Sequence, residues 1–262
     1  MDRGAVNARV VLPARGLAWL AEGWRMFRAA PFGWLALVFA YLMGTMLLSA
    51  VRLVGPLAVA LLVPALSVGF MAASRAAWRR QPVELAMLAA GFRERLPAQL
   101  VLGVVYLIGF FGAIFGSALA DGGALAQALL GAAPQAEVAD PGGAMAAGLL
   151  LSVLLYLPTM MLLWFAPVLV AWHGVGPAKA LFYSAVAFWL NLRAFVVYAL
   201  GLVAALFVII GALTLLVALL PAGAAAAGVQ SMILPLALLL LPTLFGSYYA
   251  SYRDVFGIPE ST

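Results

Sequence analysis

Val63-Pro64-Ala65-Leu66, Leu157-Pro158-Thr159-Met160 and Leu241-Pro242-Thr243-Leu244 set one proline inside each of three long apolar segments. Six residues past each proline stands an aromatic, Phe70, Trp164 or Tyr248, and two residues further an alanine, Ala72, Ala166 or Ala250. A motif that recurs at a fixed offset marks a repeated structural unit. The three copies predict a chain built from one unit used three times. Pro64, Pro158 and Pro242 are its hinges, and Phe70, Trp164 and Tyr248 are the packing positions beside them. A proline inside a helix removes a backbone hydrogen bond and bends the axis, so each copy is expected to bend there.

Working outward, composition decides what kind of unit this is. Of 262 residues, 67% are hydrophobic and 9% charged, whereas a soluble domain is roughly one quarter charged. Mean hydropathy is +1.14. Six segments are long enough to cross a bilayer as helices, which takes about 20 mostly apolar residues. They run near Phe32–Val51, Leu57–Ala77, Ala98–Leu119, Ala144–Trp172, Ala194–Leu220 and Ser231–Tyr252. The runs are continuous and lack the alternation of membrane β-barrel strands. The fold class is all-α: a polytopic membrane helix bundle with six transmembrane helices, forming a single membrane domain over residues 1–262.

Lys and Arg set the orientation, because basic flanks stay in the cytoplasm. With the N-terminus inside, 13 of the 14 basic residues fall in inner segments and only Arg52 lies outside. Asp121, Glu137 and Asp140 all fall in the outer loop. Both termini are therefore expected in the cytoplasm of a multi-pass inner (plasma) membrane protein. The early arginines, before any long apolar run, predict that Met1 onward is retained rather than cleaved as a signal peptide.

An inner segment opened by a proline, Pro13, Pro82 or Pro177, precedes each pair of spans, and proline suits the first turn of a helix. The first segment shows Leu17, Leu20, Trp24 and Phe27 opposite Arg15, Glu22, Arg25 and Arg28. The third shows Ala178, Leu181, Phe182, Ala185, Phe188, Trp189 and Leu192 at helical spacing. These read as amphipathic helices lying in the membrane interface. The second, with Val83, Met87 and Ala90 near Glu84, Glu94 and Arg95, has the weakest pattern. Each unit is thus an interfacial helix plus a two-helix hairpin, over about 12–81, 82–176 and 177–258. Two spans per unit make the three repeats parallel. The Gly- and Ala-rich stretch from Asp121 to Gly143 reads as an outer loop holding at most one short helix.

Glu22-Gly-Trp-Arg-Met-Phe-Arg28, Val63-Pro-Ala-Leu-Ser-Val-Gly-Phe-Met71, Trp164-Phe-Ala-Pro-Val-Leu-Val-Ala-Trp-His173 and Ser247-Tyr-Tyr-Ala-Ser-Tyr-Arg-Asp254 carry a resemblance. They are similar to an uncharacterised family of six-span bacterial inner-membrane proteins, over nearly the whole length. More distantly, the pattern resembles the membrane module fused to some glycerophosphodiester phosphodiesterases, whose catalytic domain has no counterpart here. The resemblance implies a fold and a membrane, and no activity or site.

Little on the chain points to catalysis. His173 is the single histidine, with no acidic residue nearby in sequence, and reads as a polar end-cap. No metalloprotease, nucleophile-elbow or phosphate-loop motif occurs. With no cysteine there is no thiolate metal site or cysteine nucleophile. No enzyme and no cofactor are implied. A pI near 9.9 would suit nucleic acid, but the basic residues flank apolar spans, so anionic membrane lipid or a membrane-protein partner is the expected counterpart. Candidate contacts are Arg15, Arg25, Arg28, Arg75, Tyr248, Tyr249, Tyr252 and Arg253, the last four reading first as an aromatic belt with a snorkelling arginine and alternatively as a polar pocket at the inner face beside Arg75. The function expected is an accessory, lipid- or partner-engaging or envelope-maintenance role. The alternative is a facilitative carrier of a small neutral or lipid-like molecule. A carrier predicts a polar-lined, water-accessible cavity at mid-depth, and a scaffold a sealed apolar axis.

Overall fold

The computed structural model describes residues 7–52, 54–130, 141–218 and 225–257. Every long element among them is a helix. In a bilayer each peptide group must be satisfied within its own segment, and a continuous apolar run does that only as a helix. Among the described residues six helices are long and apolar enough to span: Pro31–Ser49, Val54–Trp78, Leu96–Asp121, Gly143–His173, Leu192–Val217 and Leu234–Phe256. They coincide with the six apolar segments of the sequence.

Helix α1 (Arg15–Ala29) leads into the first hairpin, α2 (Pro31–Ser49) and α3 (Val54–Trp78). A 3-10 turn (Leu85–Ala89) and the short α4 (Ala90–Arg93) follow, then α5 (Leu96–Gly116), α6 (Ala118–Asp121) and α7 (Ala124–Leu130). The fourth span is α8 (Pro141–Leu163) with α9 (Ala166–His173), and α10 (Pro177–Leu190), α11 (Leu192–Ala218) and α12 (Ala225–Phe256) complete the chain. Prolines open α2 and α10 and lie in the first turn of α5 and α9, where a missing N–H leaves nothing unpaired.

Two local expectations need amending. The second inner segment is not an amphipathic helix but a 3-10 turn joined to one α-turn. Arg80 (φ 56°) and Arg95 (φ 58°) turn the chain in left-handed geometry at its ends. Between them it is pressed onto α3 so closely that a Cβ on Gly91 would lie 2.0 Å from the Ala65 carbonyl oxygen. In the fourth span the interruption falls at Trp164–Phe165, ahead of Pro167, while α8 runs through Pro158. Helices α3 and α12 continue through Pro64 and Pro242. The outer loop does hold one short helix, α7, whose first N–H groups are capped by Asp121: Oδ2 accepts from Leu125 N at 3.0 Å and Oδ1 from Gly123 N at 2.8 Å. Residues 131–140 of that loop, with Glu137 and Asp140, lie outside the described residues.

Packing is concentrated at the end of the bundle that carries the first and last described residues, here called the basic end. Helix α1 lies against α11 and α12, the segment 85–93 against α2 and α3, and α10 against α5, α8 and α9. The buried face of α1 is Gly16, Trp19, Glu22, Gly23, Met26 and Phe27, while Trp24 faces outward and Leu17, half exposed, touches α11 at Gly201. The glycines explain the choice of face. A Cβ on Gly23 would lie 2.1 Å from the Thr243 carbonyl oxygen, and one on Gly16 would lie 2.2 Å from that of Ala194, so the backbones meet directly. Small residues at such crossings let membrane helices gain dispersion contacts along their whole length. Asn191, at the α10–α11 corner, fastens the N-terminal segment: its Oδ1 accepts from Val11 N at 2.8 Å and its Nδ2 donates to Arg9 O at 3.0 Å. Trp19, Trp34, Phe70, Met71, Phe165, Leu169 and Tyr252 are buried in this half. Past Gly201, by contrast, no described residue of α11 is buried.

Candidate functional site

Polar chemistry gathers in two places, one at the basic end and one in mid-bundle. At the basic end Glu22, only 4% exposed, reaches from α1 toward α12. Its carboxylate accepts from Arg15 Nη2 at 2.8 Å and from Arg253 Nη2, with Arg25 Nη2 at 3.7 Å. Asp254 accepts from Arg15 Nε at 2.6 Å and from Trp19 Nε1 at 2.8 Å. The hydrogen bond to Asp254 raises the Arg15 guanidinium above its ordinary value; burial opposes the shift and Glu22 reinforces it. The charges are largely withdrawn from water, and each carboxylate answers more than one arginine, as buried ions require.

This network relocates several predicted contacts. Arg15, its side chain 35% exposed, ties α1 to α12 through Asp254. Arg25 (side chain 68% exposed) and Arg28 do face outward. The Arg253 guanidinium lies 3.8 Å over the Trp78 ring, and that of Arg75 lies 4.6 Å over Trp172. Tyr249 and Tyr252 are core residues packed on Trp172, and the Tyr252 hydroxyl is 2.6 Å from His173 Nε2. Tyr248 points elsewhere. The four-residue pocket read from 248–253 is therefore split, because neighbouring positions on a helix face different ways.

Tyr248 belongs to the second place, a cavity of about 380 Å³ at mid-span between α3, α5, α8, α9, α11 and α12. Pro64, Trp164 and Tyr248 line it, whereas Pro158 and Pro242 do not. Phe70 packs outside it, stacked on Phe245 at 3.8 Å. The remaining polar groups of the wall are the hydroxyls of Ser67, Tyr106, Tyr156 and Tyr198; no charged residue contributes. These hydroxyls bond within the protein: Tyr198 Oη lies 2.8 Å from Ser247 Oγ, Ser67 Oγ donates to Pro64 O at 2.7 Å, and Tyr106 and Tyr156 bond to each other. Tyr106 and Tyr156 meet edge to face at 6.3 Å. Trp164 closes the side toward the basic end. Its ring packs on Phe195 at 5.3 Å and Tyr248 at 5.5 Å, and its Nε1 donates to Ser251 Oγ at 3.2 Å.

The break in the fourth span borders this cavity, and its backbone is satisfied by side chains from neighbouring elements. Ser184 Oγ accepts from Phe165 N at 2.8 Å and donates to Met161 O at 2.9 Å, while Gln99 Nε2 donates to Pro167 O at 2.9 Å. Irregular backbone at membrane depth persists only where protein groups or a lined cavity satisfy it. Both partners are fully buried. Sequence reasoning missed Tyr106, Tyr156, Tyr198, Gln99 and Ser184. The available signal was a scatter of single polar side chains in the interior of apolar segments.

No protein-family profile matches the chain, and no solved structure matches it. A Burkholderia thailandensis protein named "Probable inner membrane protein" is 39% identical over 254 residues, covering 94% of this chain and 92% of that protein. Identity at that level along nearly both full lengths, together with six apolar helices in the expected places, leads to one conclusion: the chain belongs to the family of this bacterial inner-membrane protein.

Proposed function

We propose that this is a non-enzymatic inner-membrane protein that holds a neutral, lipid-like molecule within its bundle, in an accessory or envelope-maintenance role. The observation that carries the reading is the uncharged, tyrosine-ringed cavity of about 380 Å³. Its volume lies within the range of ligand pockets, about 300–1,000 Å³. An apolar wall with a few hydroxyls suits a molecule that is mostly hydrocarbon with one hydrogen-bonding group, and it suits an ion poorly. Such a wall is neither the sealed axis of a scaffold nor the polar channel of a water-filled carrier. A facilitative carrier of a lipid-like molecule would use the same cavity, with release on the far side. Lipid retained after detergent extraction and identified by mass spectrometry tests the reading. The Leu202→Trp, Ser67→Phe double variant, which fills the wall, is expected to lose about nine tenths of the neutral lipid retained by the parent, as preformed pockets do when filled. A parent protein that retains no neutral lipid overturns the reading.

Three further assignments accompany it. We assign both termini to the cytoplasm, on the support of the 13-to-1 distribution of basic residues. Reporter fusions at Thr262 are expected to be active inside the cell and fusions after Asp140 outside; the reverse pattern ends the assignment. We read the bundle as three parallel repeats. The support is that each inner segment leans on both spans of the hairpin before it, with α1 closing onto the last. Anionic lipid is the proposed partner of the basic end, because Arg25 and Arg28 are exposed on a helix that also exposes Leu17 and Trp24. Each such arginine contributes about 1 kcal/mol near an anionic surface. The Arg25→Gln, Arg28→Gln double variant should therefore retain markedly less anionic lipid while keeping the neutral lipid of the cavity. Unchanged anionic-lipid retention removes the role.

A further inference from the structure

We infer that the cavity opens sideways into the bilayer between α8 and α11, and that its ligand is an uncharged single-chain lipid with a hydroxyl head. This rests on the cavity reading above and narrows it to a route and a ligand class. The wall is not equally closed all round. Helices α12, α3, α5 and α8 pack side by side in that order, whereas α11 approaches α12 little and α8 hardly at all. At the basic end the α8–α11 gap is filled by Trp164 against Phe195 and Tyr198, at 5.3 and 6.0 Å. Beyond that plug nothing comparable bridges it among the described residues. Met160, a lining residue on α8, is 37% exposed.

Among the described residues, helix α11 is anchored at its start. Phe195 stacks on Phe188 at 3.9 Å, and Gly16, Leu17 and Leu20 of α1 abut Ala194, Tyr198 and Gly201. Past that clamp Val203, Phe207, Val208 and Ile210 are about half exposed or more, and all are apolar. A mouth with such edges meets lipid chains rather than water, so a molecule already dissolved in the bilayer reaches the cavity without crossing an aqueous phase. Size narrows the class. About 380 Å³ holds about a dozen groups the size of a water molecule, hence one short chain or part of a long one, and not the two chains of a phospholipid. The wall's hydroxyls, already bonded within the protein at Ser67, Tyr106, Tyr156 and Tyr198, keep lone pairs that can accept from a hydroxyl head, and the uncharged wall leaves a phosphate or ammonium uncompensated.

The test uses the full chain in phosphatidylethanolamine–phosphatidylglycerol vesicles, with a long-chain alcohol carrying a diazirine as the probe and adducts located by peptide mass spectrometry. Adducts on Tyr156, Met160 or Leu202 that excess unlabelled long-chain alcohol suppresses are expected, together with suppressible adducts at Leu157 and Leu206 along the route. The chain has no cysteine, so the pair Leu157→Cys, Leu206→Cys can be bridged cleanly by bismaleimides of graded spacer length and scored by intact mass. Bridging should slow labelling of the cavity about tenfold, as closing an obligatory route does. The single Leu206→Cys adduct should not slow it. Full-rate labelling of the bridged protein, or suppressible adducts at the α3–α5 seam around Leu61 instead of at Leu157 and Leu206, overturns the route and leaves the cavity reading standing. A short water-soluble diol that competes as well as the long-chain alcohol overturns the ligand class. Absence of any suppressible adduct in the cavity of the unbridged protein overturns the cavity reading itself.

Discussion

Replacing Glu22 with glutamine should destabilise the protein by about 3 kcal/mol, in the range found when one partner of a buried ion pair is removed. Glu22 is the acceptor shared by Arg15 and Arg253, and without it Arg253 keeps only the longer contact to Asp254 Oδ1 at 3.2 Å. Its side chain is 12% exposed, its Nη1 is buried without a hydrogen-bond partner, and its face is already covered by Trp78. Two neighbouring substitutions give the comparison. Arg25→Gln removes only a 3.7 Å contact from a side chain 68% exposed and should change stability by about 0–1 kcal/mol. Adding Arg253→Met to Glu22→Gln removes the cation left with only its weaker Asp254 contact, so the double variant should be more stable than the sum of the singles. Unfolding in mixed detergent micelles measures all of these. A Glu22→Gln protein as stable as the parent would mean that the network contributes nothing net.

A comparable loss is expected from Gly23→Leu. The first side-chain atom would meet the Thr243 carbonyl oxygen at 2.1 Å and the Ser247 nitrogen at 2.7 Å, both backbone atoms that no rotamer change can move aside. Helix α1 must then lift from α12 and drag Glu22 and Trp19 off Arg253 and Asp254. The cost should reach about 3 kcal/mol, the upper part of the range for overpacked sites. Gly44→Ala in α2 is the counter-case, because a Cβ there meets nothing within 4 Å. It should be neutral or stabilising by up to about 1 kcal/mol, since alanine is the better helix former. Equal melting of Gly23→Leu and the parent would show that α1 does not depend on this crossing.

How much of this was legible beforehand divides along physical lines. Span number and limits were legible because a bilayer imposes a length and an apolar character on each segment independently of its neighbours. The packed face of α1 was not. Leu17, Leu20, Trp24 and Phe27 followed the helical period and read as one apolar face laid in the membrane interface. Yet Phe27 is buried in the protein while Trp24 is exposed, because the period alone does not separate lipid from protein as the neighbour. The better guide was Gly16 and Gly23, whose smallness has no use on a lipid-facing surface. Arg15 appeared to belong to a headgroup-binding stripe because its partner, Asp254, lies 239 positions away and no local pattern links them. The break at Trp164–Phe165 was hidden for a related reason. Pro158 announced a bend, but Ser184 and Gln99, from other elements, determine where the backbone can come apart. The cavity depends on tyrosines from four spans, Tyr106, Tyr156, Tyr198 and Tyr248, each unremarkable where it stands.

The tie between α1 and α12 also constrains how the molecule is made. Helix α1 leaves the ribosome first and α12 last, yet Arg15 and Trp19 find Asp254, and Glu22 finds Arg253, only when both are present. Until the final span inserts, α1 has no backbone groove for Gly23 and no counter-ions beyond its own helix, so it must wait at the membrane surface while five spans assemble beside it. Closure is then a single late event that joins the two ends of the chain. A nascent chain stalled before residue 253 would keep an open seam and an unseated amphipathic helix, the kind of exposed feature that membrane proteases and insertion factors can read as unfinished.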